Sequence, residues 1–192
     1  MNPRLSTIGG FLLLCAPLAL AQTSVLVPDK AHSEVDFSIV HLSLSNVRGH
    51  FGNIGGSIVL DQSDITKSKV NVTIDVSTVD TGVEARDADL KSAHFFDVAQ
   101  FPAATFVSTS VTKHGDGLTV TGNLTLHGVT KPVVLRVDGP TGPMMGGDKK
   151  PHFGFSATAT ISRAAFGLAP KFPTTVVGDE VKLTIDLDVA KQ

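Results

Sequence analysis

The sequence predicts an all-β fold in which antiparallel strands share one apolar face. The clearest segment is 181–189, where Val, Leu and Ile alternate with Lys, Thr and Asp. Successive side chains of a strand point to opposite sides of a sheet, so this segment has one dry face and one wet face. The same period of two recurs in residues 70–76, 118–126, 133–137 and 153–161. Strands of this kind suit a small sheet that closes around an apolar interior.

The aromatic composition is the second observation that favours a dry interior. The chain contains 11 Phe but no Trp and no Tyr. Phe has no polar group, so its ring belongs in surroundings without water. Several of these rings fall on the apolar faces of the predicted strands: Phe37, Phe51, Phe106, Phe153 and Phe155. The residues alone leave two interpretations open, a core filled by these rings or a cavity that the rings line.

The N-terminal segment, residues 1–21, has the features of a signal peptide. A basic residue precedes an apolar run over 11–20, and Ala19-Leu20-Ala21 matches the pattern of a cleavage site. We therefore expect a periplasmic protein whose single domain covers 22–192. No stretch reaches the ~20 apolar residues of a membrane-spanning helix, so no integral membrane segment is expected. A lipid anchor at Cys15 is the alternative, although leucines stand where small residues should precede it.

The first half of the domain contains two predicted strands that begin the barrel. Residues 34–41 form the first strand, and His41 shares the face of Phe37 and Ile39. Residues 48–60 form a second strand that bends, because glycines within a strand mark bulges or sharp coiling.

A short helix is predicted over residues 83–91, where the period of two is lost. Thr81 can cap this helix, and Lys91 near its end suits the helix dipole. Arg86 and Asp87 in its first turns are interpreted as a structural pair.

Two segments without strand periodicity are candidates for an entrance to the interior. Residues 94–101 follow the predicted helix and contain Phe95, Phe96 and Phe101. Residues 139–151 are rich in glycine and include adjacent methionines, whose unbranched side chains adapt to variable apolar surfaces. We expect the two segments to form one entrance together. The alternative for 139–151 is an ordinary flexible connection between strands.

Composition and motifs argue against several classes of function. The formal net charge is −2 and there is no basic cluster, so nucleic acid is not an expected partner. No motif of a metalloprotease, a serine hydrolase or a phosphate-binding loop is present. His32, His41 and His50 are spaced so that the first two point to opposite faces of a strand, which argues against a shared metal. An enzyme, and a structural or stress-related partner-binding module, remain as alternative hypotheses.

Ordered motifs along the chain carry a family resemblance. They are KAHSEVDFSIVHLSLSNVRGHFGNIGGSI, VDTGVEARDADLKSAHFFDVAQFPAATF, GNLTLHGVTKPV, ISRAAFG and GDEVKLTIDLDV. Together they resemble the bacterial YceI-like family of polyisoprenoid-binding, lipocalin-like periplasmic proteins. The resemblance implies an extended eight-stranded antiparallel β-barrel around a long apolar tunnel. It further implies a bound prenyl lipid, either an isoprenoid quinone or a polyprenyl phosphate, and no catalytic cofactor. Members of the family form dimers, so a homodimer is one expectation.

The residues expected to contact this lipid lie on the inward faces and at the entrance. They are Phe37, Ile39, His41, Phe51, Phe95, Phe96, Phe101, Phe106, Leu124, Phe153, Phe155 and Arg163. His41 could bond a quinone oxygen, or a neighbouring backbone group could satisfy it. Arg163 could meet the lipid head, or form a salt bridge to Asp87 or Asp97. Asp89 and Ala165 depart from the family pattern, which has histidine and aspartate there, so head-group contacts through those positions are in doubt.

Overall fold

The computed structural model describes residues 23–192 as a closed antiparallel β-barrel. Its strands are β1 (Thr23–Pro28), β2 (Glu34–His41), β3 (Ser45–Phe51), β4 (Ile54–Asp61), β5 (Lys69–Asp75), β6 (Ala103–His114), β7 (Gly117–Leu126), β8 (Val129–Met145), β9 (Pro151–Ser162) and β10 (Val177–Lys191). The helix α1 (Glu84–Lys91) lies between β5 and β6. The predicted signal peptide, residues 1–21, lies outside the described residues.

The barrel has eight strand positions because two of them are each formed by a pair of consecutive strands. β1 and β2 follow each other along one edge of β10, where Pro28 pairs with Val189 and Glu34 with Asp186. β4 and β3 pair with β1 and β2 on the other side. From β4 to β10 each strand pairs with the next, and β10 closes the ring. The predicted eight-stranded barrel is confirmed.

Glycine permits the predicted bend in the second long strand. The break between β3 and β4 falls at residues 52–53. Just beyond it, Gly56 has a φ of 97°, and a Cβ there would lie 2.2 Å from the backbone oxygen of Asn71 on β5. Only glycine fits both the backbone conformation and this close approach of two strands.

One end of the barrel is closed by a compact apolar cluster. Its members are Leu26, Ile58, Leu60, Phe153 and Val189, none of which is more than 6% exposed. This closed end contains the start of β1 and the end of β10. The opposite end carries the β2–β3 turn, α1 and the segment 164–176, and we call it the mouth end. The barrel therefore has two chemically different ends.

β1 was missing from the sequence prediction, which placed the first strand at residues 34–41. In β1 the small polar Ser24 is buried while Val25 is 39% exposed. This inverts the apolar alternation by which the other strands are recognised. Pairing with both β4 and β10 holds the segment in the sheet in spite of that inversion.

The expectation of a flexible entrance loop over residues 139–151 was wrong. β8 continues to Met145 and β9 begins at Pro151, so only the residues between them form a turn. The register between β8 and β9 shifts twice between Asp138 and Met144. These irregularities allow the strand to continue through its glycines. This hairpin packs beside Phe153 at the closed end, whereas residues 94–101 lie at the mouth end. The two segments therefore do not form one entrance.

The predicted helix is present, but its N-terminus differs from the prediction. α1 begins at Glu84, and no side chain caps it. Thr81 instead donates its hydroxyl hydrogen to the Asp87 carboxylate and accepts a hydrogen bond from Arg86 Nε at 2.7 Å. The Arg86 and Asp87 side chains thus tie the helix to the preceding turn. Within residues 23–192, no helix has the length and apolar character needed to cross a bilayer.

Candidate functional site

The inward face of β10 shows that the barrel is not filled by its own side chains. Val181, Leu183, Ile185 and Leu187 point to the interior, yet all four are only half-buried. Side chains in a filled core are almost fully enclosed, because protein interiors are close-packed. These four residues instead border internal cavities.

The larger cavity, here called the mouth cavity, has a volume of about 320 Å³. It lies between β2, β3, α1 and the segment 164–176. Its wall is almost entirely apolar and includes Phe37, Ile39, Phe51, Leu90, Phe95, Phe96, Leu126 and Phe172. This volume is at the lower end of the ~300–1,000 Å³ range of ligand sites.

A second, inner cavity of about 120 Å³ extends toward the closed end. Its wall includes Ile58, Phe106, Val120, Val137, Phe155 and Ile185. The two cavities share four wall residues, Val35, Ile74, Leu124 and Leu183. Because they share walls, they lie in series along the barrel axis. The arrangement is a narrow apolar channel that begins at the mouth and ends against the Phe153 cluster.

Aromatic rings form one wall of the mouth. Phe37 and Phe51 lie 5.5 Å apart, and Phe51 meets Phe96 edge to face at the same separation. Phe95 stacks on Phe172 with ring centroids 5.3 Å apart. The last contact joins the segment after α1 to the segment before β10. α1 itself contains no buried residue, and this stack attaches the helix side of the mouth to the opposite rim.

Most of the residues predicted to contact a ligand lie on the channel wall. Phe37, Ile39, His41, Phe51, Phe95 and Phe96 border the mouth cavity. Phe106 and Phe155 border the inner cavity, and Leu124 borders both. His41 lies at the rim, where its side chain is exposed. Period-two parity correctly identified the inward side of the strands on which these residues lie.

Two predicted residues, Phe101 and Phe153, line neither cavity. The Phe101 ring packs against the His127 ring at 4.7 Å and lies directly over Gly128, so it stabilises the β7–β8 turn. Phe153 does share the inward face of Phe155, but it belongs to the closed-end cluster. The alternation along a strand shows which side a residue faces but not how far along the barrel axis it lies. It therefore could not show that Phe153 belongs to the closed end and not to the channel wall.

Arg163 borders the mouth cavity, but its hydrogen bonds go to the backbone. The side chain is only 4% exposed. Its five N–H groups donate to the carbonyl oxygens of Leu168, Ala169, Phe172, Val177 and Gly178, at 2.7–3.0 Å. The predicted salt bridge to Asp87 or Asp97 is not formed among the described residues. Arg163 therefore fixes the segment 164–176 to β10 and has no N–H left for a ligand.

Sequence reasoning missed two polar residues at the mouth, Arg86 and Asp89, which both border the cavity. Arg86 donates two hydrogen bonds to Thr81, from Nε to the hydroxyl and from Nη2 to the carbonyl, which leaves further N–H groups of its guanidinium available. Asp89 accepts a hydrogen bond from His94 Nδ1 at 2.8 Å. Arg86 was interpreted as part of a structural pair with Asp87, and Asp89 was noted only as a departure from the family pattern, because the sequence does not show which face of α1 meets the barrel.

Comparison with known proteins agrees with this architecture. The model of the YceI-like domain matches residues 27–189. The chain belongs to the YceI-like family. Protein YceI of Salmonella newport is 40% identical over 186 residues, which cover 94% of this chain and 93% of that protein. The crystal structure of a YceI protein from Campylobacter jejuni matches with a TM-score of 0.71 and 31% identity, covering 80% of this chain and 90% of that one.

A more distant structure shares the fold of this YceI-like chain. It is described as a polyisoprenoid binding domain from Saccharophagus degradans, implicated in plant cell wall breakdown. Its TM-score is 0.62 and its identity 16%, with 89% of this chain and 100% of that one covered. At this identity the match establishes the barrel architecture alone.

Proposed function

We propose that this YceI-like protein binds a prenyl-chain lipid, of the isoprenoid quinone or polyprenyl phosphate type, with its tail in the apolar channel. The channel itself is the observation that carries the proposal. Two apolar cavities in series suit a chain better than a compact ligand, and the closed end limits how far the tail extends. The polyisoprenoid-binding description of the Saccharophagus degradans domain supports the same ligand class.

Burial of the tail supplies the binding free energy. Each buried CH₂ contributes ~0.8 kcal/mol, while association costs roughly 4–15 kcal/mol in lost freedom. A few isoprene units in the channel are therefore enough to bind. The apolar wall makes no directional hydrogen bonds to the hydrocarbon tail, so binding does not require a tail of one particular length.

The lipid head lies at the mouth in this proposal. Ionisable side chains border the channel only near that end, where Arg86 has N–H groups available and Asp89 and His41 lie at the rim. A guanidinium donates charge-assisted hydrogen bonds to a carbonyl or phosphate oxygen. Because the polar groups lie at the rim and the interior is apolar, we infer carriage, storage or sensing of the lipid and not its chemical conversion.

Uptake of lipid from vesicles tests the proposal. The protein, stripped of lipid, is incubated with vesicles that contain a prenyl quinone or a prenyl phosphate, and the lipid that it retains is extracted and quantified. Phe155→Leu and Phe37→Leu remove aromatic area from the channel but keep it apolar, so we expect weaker retention by a folded barrel. Phe101→Leu is the matched control, because Phe101 lies outside the channel. Equal retention by all variants and the wild type would contradict the proposal.

Export to the periplasm is a further part of the proposal, and it depends on the signal peptide predicted at residues 1–21. We expect the mature chain to begin at Gln22. N-terminal sequencing of protein from the cell envelope measures this directly. A chain that begins at Cys15 and carries acyl groups would contradict it.

A further inference from the structure

The tip of the β2–β3 hairpin presents apolar side chains to solvent beside the channel mouth. Leu44 is 85% exposed, Leu42 49% and Val40 42%. Exposed leucines that are contiguous with one another are uncommon on a soluble protein and mark contact surfaces. The strand residues that flank the tip, Val40 and His41, also border the mouth cavity. The apolar surface of the tip is therefore continuous with the apolar wall of the channel.

The tip is held in a conformation that leucine does not favour. Leu42 has a φ of 52° and Ser43 one of 56°, in the left-handed region where glycine and asparagine are the usual residues. The Leu42 amide donates to the Val176 carbonyl at 2.8 Å, and the Leu44 amide donates to the His41 carbonyl at 3.0 Å. The first bond fixes the tip to the segment before β10, and the second closes the turn of the hairpin itself. The local folding of the turn gives no reason for leucine at position 42.

The tip and the adjoining rim segment carry only basic charged residues, whereas the acidic residues of the mouth end lie on α1 and at the start of β10. Residues 40–48 contain no Asp or Glu and carry Arg48, which is exposed on β3. Residues 164–176, which form the adjoining rim, likewise contain no acidic residue and carry the exposed Lys171. Two cations that flank exposed leucines match an anionic lipid surface, to which each contributes attraction near the headgroups.

We propose that the β2–β3 tip docks on the surface of an anionic lipid bilayer, with Leu42 and Leu44 inserted among the headgroups and Arg48 and Lys171 against them. Docking places the channel mouth on the membrane, so that a prenyl tail passes between bilayer and channel without crossing water. The contact requires no cargo, so it is separable from the proposed lipid binding.

Flotation with vesicles tests the docking surface. N-terminal sequencing first establishes that the purified protein carries no apolar leader. The protein is then mixed with vesicles that contain phosphatidylglycerol or with vesicles of phosphatidylcholine alone. We expect binding to the anionic vesicles that weakens with added salt. Leu42→Asn combined with Leu44→Asp should lower the bound fraction at least tenfold, since two leucines lose their burial. Met144→Asp combined with Met145→Asp, at the closed end, is the matched control and should bind like the wild type.

Stability separates docking from a structural role of the turn. Asn tolerates positive φ, so Leu42→Asn alone should unfold at the same temperature as the wild type or a higher one, while it binds vesicles more weakly. Wild-type binding by the leucine variants would overturn the proposal. The proposal would also be overturned if the wild type did not bind vesicles and light scattering showed that the tip instead joins two copies of the chain. Loading with a prenyl quinone from detergent micelles should persist in the leucine variants, which distinguishes a failure of docking from a failure of lipid binding.

Discussion

At the scale of single residues, Arg163 shows how a buried cation can serve the fold alone. Its guanidinium is the point at which the segment 164–176 is attached to the start of β10. The contacts therefore determine the shape of the channel mouth even though no N–H points to the channel.

Replacement of this arginine should destabilise the protein strongly. Arg163→Lys keeps the charge but cannot reproduce five N–H donors in a planar fork. We expect the free energy of unfolding to fall by about 2 kcal/mol or more, because buried carbonyl groups lose their partners. Urea denaturation of the wild type and the variant measures the change. A difference below about 0.5 kcal/mol would mean that the carbonyls are satisfied in another way.

His152 provides a pH-dependent contact on the outside of the closed end. Hydrogen bonds to Asp188 on β10, at 2.6 Å, and to Asp148 in the β8–β9 turn, at 3.1 Å, raise the pKa of His152 above its ordinary 6.5. A raised pKa in the folded state stabilises the protein at pH values below the ordinary pKa. That contribution is lost as the pH rises through the raised value.

We therefore expect the wild type to lose stability between neutral and mildly alkaline pH, by an amount that His152→Gln lacks. Thermal unfolding of both proteins across this range measures it. His114→Gln is the control, because His114 is exposed and forms no ion pair among the described residues. Identical pH profiles of the wild type and His152→Gln would contradict the prediction.

Single residues also show what the alternation of apolar residues can predict and what it cannot. Parity correctly placed Phe37, Phe106 and Phe155 on the inward side, because a strand alternates strictly. It could not separate Phe155 from Phe153, since both have the same parity and differ only in their depth along the barrel. It could not predict the partners of Arg163, because backbone carbonyl groups are the same at every position of a sequence.

At the scale of elements, the mouth is built from the parts of the chain that are least like strands. α1 has no buried residue, and the Phe95–Phe172 stack joins the segment after it to the opposite rim. Segments with few buried contacts open at lower free energy than the rest of a fold. The mouth is accordingly the end of the barrel at which a ligand can exchange.

Loss of this stack should speed lipid exchange. In Phe172→Ala we expect faster release of a prenyl quinone to acceptor vesicles, with only a moderate loss of thermal stability, because Phe172 is half-buried at the rim. A β8–β9 hairpin shortened between Gly142 and Lys149 is the control, and its release rate should equal that of the wild type. Faster release from the shortened hairpin and not from Phe172→Ala would place the exchange at the closed end.

The elements also differ in how far the sequence predicts them. β9 and β10 alternate strictly over 153–161 and 181–189, so these parts could be predicted, but the start of β10 at 177–180 could not, because the register with β2 shifts there. β8 could not, because its second half contains glycines and prolines that are typical of loops. Pairing with β9 overrides that local preference, since bulges let the strand continue past residues that do not fit a regular ladder. Such tertiary pairing leaves no local pattern to recognise.

At the scale of the whole molecule, the interior cavity decides between the two interpretations that the sequence left open. Leu124 borders both cavities and is therefore the best position at which to fill the channel. In a packed core, Leu124→Phe would cost about 1–3 kcal/mol through overpacking. With the cavities present, we expect a stability change below about 1 kcal/mol and a large loss of prenyl quinone uptake. Urea denaturation and vesicle uptake of the same variant check both parts, and marked destabilisation would favour the packed core.

The most direct test of the central claim is mass spectrometry of an organic extract of the protein purified from its native cell envelope. A channel that binds a prenyl tail tightly keeps its lipid through purification, so we predict a single class of prenyl lipid in near-stoichiometric amount. Phe155→Leu purified in parallel should contain less of the same lipid. A wild-type extract without prenyl lipid, from protein that also takes up none from vesicles, would contradict the account.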